Sequence, residues 1–159
     1  MMANNTVRPQ LVEGHSFKPA NREQIVTTAR SWLGTPYQHQ ARCKGVGVDC
    51  AGLIVGVAKD LQLSDFDCTT YGRRPAVDLL TQIMRTHTRE LPASAPWLPA
   101  QICLMRFDSE PQHLGLLGGV AQQLTLIHAY GSAAAVVEHR LAQVWQARVL
   151  ARFDYFGVV

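Results

Sequence analysis

One cysteine stands where a polar loop gives way to an apolar, helix-like pattern. In the stretch GVGVDCAGLIVGV, residues 45–57, Cys50 directly follows Asp49 and precedes apolar residues at helical spacing. The unsatisfied N–H groups and the dipole at a helix N-terminus favour a thiolate, so we expect the pKa of this thiol to lie below its ordinary value of about 8.5. The same N–H groups can bind an oxyanion. Cys50 is therefore a candidate nucleophile, the alternative being a buried, inert cysteine.

Two histidines further along the chain are candidate partners for this thiol. His113 begins the apolar run HLGLLGG, and His128 lies in the next run, LIHAYG. Adjacent antiparallel strands joined by a short turn can place such side chains next to each other. A cysteine nucleophile needs a base, and the base needs an orienting group. The order of thiol, histidine and third polar residue is that of a papain-like site, whereas a single histidine in a strand is more often a packed or surface residue.

The remaining cysteines and histidines show no pattern that indicates a metal site. The four cysteines include no C-x-x-C pair, and no Cys/His spacing resembles a zinc site. This spacing argues against a zinc site, although a metal- or cluster-binding role of the cysteines stays an alternative. The cysteines expected to be packing thiols are Cys43, Cys68 and Cys103, of which Cys43 is the one most open to oxidation. The histidines expected to be surface or structural residues are His15, His87 and His139.

Composition and charge limit the classes of function. The chain has 159 residues, 47% of them hydrophobic, and a net charge of +3, which is typical of one globular domain. We expect an extended arm over residues 1–20 and a single domain over residues 21–159. The basic residues are scattered, so no nucleic-acid partner is expected. Because no apolar run approaches the roughly 18 residues of a spanning helix and the N-terminus lacks an apolar signal region, we expect synthesis in the cytoplasm without a signal peptide, and no membrane insertion.

The first elements predicted along the chain are three helices, and they must help to position these side chains. The first is expected to start after an N-cap at Asn21 and to end at a C-cap glycine, Gly34. Gly52 and Gly56 lie one turn apart on the second helix, which indicates that another element approaches it closely. The second and third predicted helices cover residues 49–62 and 75–87.

Short strand-like runs separated by turn residues follow the helices. They cover residues 101–107, 113–119, 124–130, 134–139 and 148–156. Their spacing is typical of an antiparallel meander. Helices first and strands afterwards predict an α+β domain.

Several separated motifs, in this order, resemble the NlpC/p60 family of papain-like cysteine peptidases. They are ARSWLGTPY, GVGVDCAGLIVGV, QHLGLLGG, LIHAYG and VVEHRL, and they extend over roughly residues 25–140. The resemblance implies a papain-like fold, with N-terminal helices packed on a C-terminal antiparallel sheet. It also implies a Cys-His-His triad, with Cys50 as the nucleophile, His113 as the general base and His128 as the group that orients His113.

The resemblance further implies residues that bind substrate beside the triad. Tyr37 and Asp49 match family positions that line the cleft near the nucleophile, and the backbone N–H of Cys50 would contribute to an oxyanion hole. The longer motif WLGTPYQHQARCKGVGVDCAGLIVGV, together with Trp145 and Arg148 in a W-x-x-R pattern, resembles the branch of cell-wall peptidases encoded in the tail modules of phages and gene-transfer agents. This branch often has a histidine where His39 lies, so His39 either borders the cleft or is an ordinary loop residue.

The resemblance implies a cysteine peptidase or amidase that hydrolyses amide bonds in the peptide stems of bacterial peptidoglycan, and this chemistry implies no metal and no organic cofactor. The expected partners are those stem peptides and the proteins of a phage tail tip or baseplate, because a virion tail would carry the enzyme to the cell wall. Two alternatives keep the same fold: a structural tail-tip or tail-assembly protein, and a thiol acyltransferase.

Overall fold

The computed structural model describes residues 17–73, 76, 78–108 and 110–159. The helices are α1 (Arg22–Arg30), α2 (Cys50–Asp60), α3 (Leu79–His87) and α4 (Gln143–Gln146). The strands are β1 (Arg42–Cys43), β2 (Gly47–Val48), β3 (Thr88–Glu90), β4 (Ile102–Arg106), β5 (Pro111–Val120), β6 (Gln123–Tyr130), β7 (Ala135–Arg140) and β8 (Val149–Tyr155). Among the described residues, none of the helices has the length and apolarity needed to cross a membrane. The order of elements confirms the predicted α+β class.

Six of the strands form one antiparallel sheet, in the order β3-β8-β4-β5-β6-β7. β4 to β7 follow one another as the predicted meander, whereas β8 returns across the sheet to pair with β4. All five predicted strands are present. β3 and the separate hairpin of β1 and β2 were not predicted, because runs of two or three residues carry no alternating pattern.

The two faces of the sheet pack against different layers. On β4, Ile102 and Leu104 belong to the large core that also contains α1 and α2. Cys103 and Met105 point the other way, into a smaller cluster against which Trp145 of α4 packs. The N-terminal helices therefore pack on one face of the sheet, as predicted, while the second face carries a layer of its own.

Helix α1 begins where predicted but ends earlier. The Asn21 side chain accepts a hydrogen bond from the Gln24 N–H at 2.8 Å, and the Gln24 side chain accepts one from the Asn21 N–H at 2.9 Å, which makes a capping box. The helix ends at Arg30, so the prediction of Gly34 as its C-cap is wrong. Gly34 has a φ of 81° in the turn beyond the helix, where its N–H donates to Val136 O at 3.0 Å. That bond directs the chain onto β7.

Helix α3 is shorter than the predicted span. It begins at Leu79, while Pro75 and Val77 of the predicted first turn lie outside the described residues. Leu80 and Met84 are buried, as their helical spacing predicts. The helix therefore keeps its predicted inner face over the part that is formed.

The described end of the predicted arm pairs with the C-terminal residues. The Ala20 N–H donates to Gly157 O at 3.0 Å, and the Val159 N–H donates to Ala20 O at 3.1 Å. Residues 1–16 of the predicted arm lie outside the described residues. The two ends of the described chain are thus joined in a short parallel bridge between Ala20 and Val158.

The glycines of α2 admit other parts of the chain against the helix. A Cβ at Gly56 would overlap the ring of Trp32, and a Cβ at Gly52 would lie 2.6 Å from the carbonyl oxygen of Ala41. The close approach predicted from these two glycines is confirmed. It holds the loop before α2 against the first turn of the helix, beside Cys50.

We expect Gly56→Ala to lower the free energy of unfolding by about 2 kcal/mol, because the buried Trp32 ring must move to admit the methyl group. The gain in helix propensity, about 1 kcal/mol, offsets only part of that cost. Urea unfolding measures the change. The matched control is Gly131→Ala, because a Cβ there meets only ordinary contacts with Tyr37, the nearest at 3.8 Å. Equal stability of the two variants would contradict the packing role of Gly56.

Candidate active site

A cavity of about 310 Å³ opens between the start of α2, the start of β5 and the turn that joins β6 to β7. Five of the predicted site residues line it, namely Tyr37, His39, Asp49, Cys50 and His113. The sixth, His128, contacts His113 from the neighbouring strand. The fold thus brings the N-terminal loops and the C-terminal sheet together around one thiol.

Cys50 is the first residue of α2, and it is partly exposed toward the cavity. Burial by the surrounding protein and then the neighbouring Asp49 carboxylate raise the pKa of the thiol to about 11, although the N–H groups of Leu114 and Ala51 act in the opposite direction. The expected lowering of the pKa is therefore wrong for this structure, because desolvation and a like charge outweigh the helix terminus. The Cys50 N–H lies in the first turn, where a helix supplies no acceptor, so it is a candidate oxyanion donor.

The carboxylate of Asp49 caps α2 and is almost fully buried, with 2% of the residue exposed. It accepts hydrogen bonds from the N–H of Gly52 at 2.7 Å, the N–H of Gln40 at 2.7 Å, Tyr71 Oη at 2.6 Å and Arg42 Nη1 at 3.0 Å. A carboxylate with four protein donors has little capacity left for another ligand. Its described contacts therefore position the start of α2 and the loop in front of it.

Arg42 balances the buried charge of Asp49. Besides Asp49, its guanidinium donates to Asp67 Oδ1 at 2.9 Å, to Cys68 O at 3.0 Å and to Tyr71 Oη at 2.7 Å. The arginine thus ties the segment after α2 to the loop before it. Neither Arg42 nor Tyr71 was predicted as part of the site, because the sequence shows only a basic residue and a tyrosine in loops.

His113 and His128 form a buried, hydrogen-bonded pair. Their Nε2 and Nδ1 atoms lie 2.7 Å apart, and the two residues are 4% and 0% exposed. Burial lowers the pKa of His113 to about 3, and burial together with the neighbouring histidines lowers the pKa of His128. Both rings are therefore neutral at pH 7. The contact agrees with the expectation that the two runs form adjacent strands.

Gly115 makes room for this pair. It lies on the same face of β5 as His113, and a Cβ there would lie 3.4 Å from the Cβ of His128 and 2.6 Å from a methyl carbon of Leu126. The pattern H-x-G at the start of the strand is the local signal for this arrangement.

A third histidine extends the pair toward the surface. His128 Nε2 lies 2.9 Å from His139 Nε2, and His139 Nδ1 lies 2.9 Å from Arg140 O. His139 is only partly buried. The sequence alone indicates a surface or structural role for His139. Its proximity to His128 is not visible there, because it depends on the register of β6 against β7, in which His139 pairs with Leu126.

Aromatic side chains cover the three histidines. The ring of Trp145 lies 5.0 Å from the rings of His128 and His139, and Tyr130 stacks on His128 at 5.1 Å. Arg148 lies over Trp145 at 5.7 Å, which accounts for the spacing of the W-x-x-R pattern on one short helical turn. With this cover His128 is fully buried, while His139 stays partly exposed.

Tyr37 and His39 line the cavity from the loop that precedes β1. Burial, and then the charges of Cys50 and Asp49, raise the pKa of Tyr37. His39 Nδ1 lies 3.9 Å from Asp49 Oδ2, so His39 borders the cavity beside the carboxylate. Contact of either side chain with substrate stays a prediction.

The other cysteines differ in exposure. Cys103 is buried, Cys68 is partly buried and Cys43 is exposed, and all of them are free thiols. The expectation that Cys43 is a packing thiol is therefore wrong, because its hairpin presents it to solvent. Within the described part of the chain, no cluster of three or more His, Cys, Asp or Glu residues is arranged to hold a metal ion.

Comparison with known proteins bears on the fold. Scans against protein-family models and curated proteins find no match. Among solved structures, an NlpC/P60 family protein from Bacillus cereus ATCC 10987 is 14% identical at a TM-score of 0.65, over 89% of this chain and 42% of that one. An NLP/P60 family protein described as similar to lipoprotein, from Staphylococcus aureus subsp. aureus Mu50, is 17% identical at a TM-score of 0.57, over 88% and 44%. The NlpC/p60 domain of the peptidoglycan hydrolase SagA is 19% identical at a TM-score of 0.58, over 85% and 99%.

These likenesses define the class of fold. The chain spans less than half the length of the first two structures and nearly all of the SagA domain. At such identities the shared property is the fold, which is that of NlpC/P60 domains. The papain-like NlpC/p60 fold predicted from the sequence motifs is thus confirmed.

The arrangement holds a neutral thiol and a neutral imidazole at one cavity. The Leu114 N–H, which belongs to the residue after His113, interacts with the Cys50 sulfur, so the thiol lies beside the start of β5, where His113 lines the same cavity. A neutral imidazole can accept a proton, and a thiol that loses one becomes a strong nucleophile. The site is therefore able to support nucleophilic attack on a carbonyl carbon.

The buried histidines predict a pH dependence of stability. The pKa values of His113 and His128 are lowered in the folded protein, so below about pH 6.5 the unfolded chain binds more protons and the free energy of unfolding falls as the pH falls. Each histidine contributes a slope of up to about 1.4 kcal/mol per pH unit. Urea unfolding between pH 6.5 and 4.5 measures it. His113→Gln should remove one of the two histidine contributions and so about halve their part of the slope. An unchanged slope would contradict the burial of a neutral His113 ring.

Proposed function

We propose that this protein is a cysteine peptidase or amidase that hydrolyses amide bonds in the peptide stems of bacterial peptidoglycan. The observation that carries the proposal is the opening of Cys50 and His113 onto one cavity, with His128 hydrogen-bonded behind His113, in an NlpC/P60 fold. The SagA domain belongs to a protein described as a peptidoglycan hydrolase, which supports the choice of substrate class.

The mechanism follows from the neutral resting pair. His113 takes the proton of the Cys50 thiol as the sulfur attacks the amide carbon, and the Cys50 N–H stabilises the resulting oxyanion. The proton on His113 then passes to the leaving amine, which leaves a thioester on the sulfur. Water, deprotonated by His113, hydrolyses the thioester and restores the thiol. Since burial disfavours both charged forms, the proton transfer takes place together with the attack rather than before it.

The cavity offers polar groups suited to a peptide. Tyr37 presents a hydroxyl on one wall, and the exposed Arg73 adds a positive charge. Peptide stems carry free carboxylates, which such a charge attracts. Asp49 contributes through the position of Cys50, since its own oxygens are engaged by protein donors.

We further propose that a phage tail carries the protein to the cell wall. The support is the extended motif around Cys50 and the W-x-x-R pattern, which resemble the tail-encoded branch. Tail-tip or baseplate proteins would then be its partners. The C-terminal strand offers few side chains for such docking, because Phe153 and Tyr155 are buried and Tyr155 Oη donates to Ile54 O at 2.9 Å.

Replacement of Cys50, His113 or His128 should reduce hydrolysis, and the size of the loss should differ among the three. Cys50→Ala should remove activity on purified peptidoglycan, and His113→Ala should lower it by about a hundredfold or more, because each removes a step of the same reaction. His128→Ala should be milder, since an orienting group forms no bond with substrate. The measurement is the rate of fragment release, read by mass spectrometry, which also identifies the bond that is cut.

The matched control is Cys43→Ala, which removes an exposed thiol away from the cavity and should keep most of the activity. Circular dichroism verifies that each variant is folded. Undiminished hydrolysis by Cys50→Ala would refute the proposed nucleophile. A His128 variant that is less active than the His113 variant would mean that their roles are exchanged.

Carriage in a virion predicts that the chain co-purifies with assembled particles at low copy number. Quantitative mass spectrometry of gradient-purified particles measures its ratio to the major tail protein. The whole lysate, analysed in parallel, shows whether the chain is made at all. Particles that lack the chain while the lysate contains it would refute carriage and favour a role in lysis or tail assembly inside the cell.

A further inference from the structure

We propose that His139 is a positioning residue that sets the tautomers of His128 and His113 and so leaves the Nδ1 lone pair of His113 available to take a proton. Three rings and one backbone carbonyl form a continuous chain of hydrogen bonds. The distances are 2.7 Å from His113 Nε2 to His128 Nδ1, 2.9 Å from His128 Nε2 to His139 Nε2, and 2.9 Å from His139 Nδ1 to Arg140 O.

The direction of this chain is set at its outer end. A carbonyl oxygen only accepts, so His139 Nδ1 carries the hydrogen and His139 Nε2, in the neutral ring, has the lone pair. His128 Nε2 must then donate to His139, which leaves the lone pair of His128 on Nδ1. His113 Nε2 must donate to that lone pair. One arrangement of hydrogens therefore satisfies all three hydrogen bonds when the three rings are neutral.

This arrangement of hydrogens determines the state of His113 Nδ1, the ring nitrogen that takes no part in the three hydrogen bonds. With its hydrogen on Nε2, His113 has a lone pair on Nδ1, and this ring lines the same cavity as Cys50. Without the outer anchor, the opposite arrangement becomes equally possible for the inner pair: His128 Nδ1 would donate to His113 Nε2. His113 Nδ1 would then carry the hydrogen and could not accept one from the thiol.

The surroundings of His139 favour a persistent anchor. Trp145 lies 5.0 Å from both His128 and His139, and Tyr130 stacks on His128 at 5.1 Å, so these rings restrict how the two imidazoles can turn. His139 belongs to β7, whose hydrogen bonds to β6 fix its height beside His128. The anchor itself is a backbone carbonyl, which no change of side chain at Arg140 removes.

Nitrogen NMR of the full-length, ¹⁵N-labelled protein tests the tautomers directly, with no substrate present. At pH 8, where an ordinary imidazole is neutral, long-range ¹H–¹⁵N spectra distinguish protonated from unprotonated ring nitrogens. The His113 signals are identified by their loss in His113→Gln. The parent protein should show His113 protonated on Nε2 and unprotonated on Nδ1. A parent protein with the hydrogen on Nδ1 would overturn the inference.

Three variants of His139 make the test specific to hydrogen-bond direction. His139→Gln supplies a carbonyl oxygen that accepts from His128 Nε2, so the parent tautomer should persist. His139→Ala removes the anchor and should give a mixture of tautomers. His139→Lys supplies only donors and should reverse the chain, with the hydrogen of His113 on Nδ1. A purely structural role for His139 would not order the variants in this way, and an unchanged His113 tautomer in both His139→Ala and His139→Lys would overturn the proposal.

The reactivity of Cys50 gives a second readout. Alkylation by iodoacetamide, followed on the Cys50 peptide by mass spectrometry, should slow about tenfold in His139→Ala, which corresponds to about 1.4 kcal/mol, and more in His139→Lys. His139→Gln should stay within about threefold of the parent. The matched control is His87→Ala, since His87 is also a partly buried histidine but its ring stacks on Phe66 at 3.4 Å. Equal rates in all three His139 variants would count against the proposal.

The significance of this inference for catalysis rests on the proposed function, but its test does not. If the tautomers shift as expected while the parent protein releases no fragments from peptidoglycan, the role of His139 stands and the proposed substrate fails. If the parent hydrolyses peptidoglycan and the His113 tautomer is the same in every His139 variant, the proposed function stands and the role of His139 fails.

Discussion

The buried carboxylate of Asp49 is the constraint on which the site depends. It caps α2 through the Gly52 N–H and joins the loop at Gln40 and Arg42 to Tyr71 beyond the helix. A buried charge is tolerated only where it is paired and hydrogen-bonded, and losing one partner of such a pair costs about 3–5 kcal/mol. The residue that follows this anchor is Cys50. The position of this thiol, the proposed nucleophile, is thereby fixed from three directions.

The same anchor shapes the chemistry of the thiol. A negative charge next to Cys50 disfavours a second one on its sulfur, and burial acts in the same direction on both Cys50 and His113. The site therefore favours a neutral thiol and a neutral imidazole over a thiolate–imidazolium pair. The N–H groups of Leu114 and Ala51 favour negative charge on the sulfur, and in the proposed reaction they would stabilise it during the attack.

Both faces of the sheet contribute to the site. Leu114 packs into the core shared with the helices, while its neighbour His113 contacts His128 on the other side of the strand. Strand alternation therefore places His113, the proposed base, at the boundary between the helix layer and the row of histidines. Trp145 and the short α4 close that row from outside. The pairing of β5 with β6 and of β6 with β7 brings three histidines, scattered along the chain, into one line.

The sequence by itself determined what local signals can carry. The capping residue Asn21, the apolar spacing of α2 and the strand runs predicted the elements, and the motifs around Cys50, His113 and His128 predicted the fold and the candidate site. The tertiary structure decided the partners of Asp49, the place of β8 between β3 and β4, the neutral state of the thiol and the contact of His139 with His128. These depend on strand register, on burial and on contacts between distant segments. None of the three leaves a periodic or local trace in the chain, because each arises only when separate elements meet.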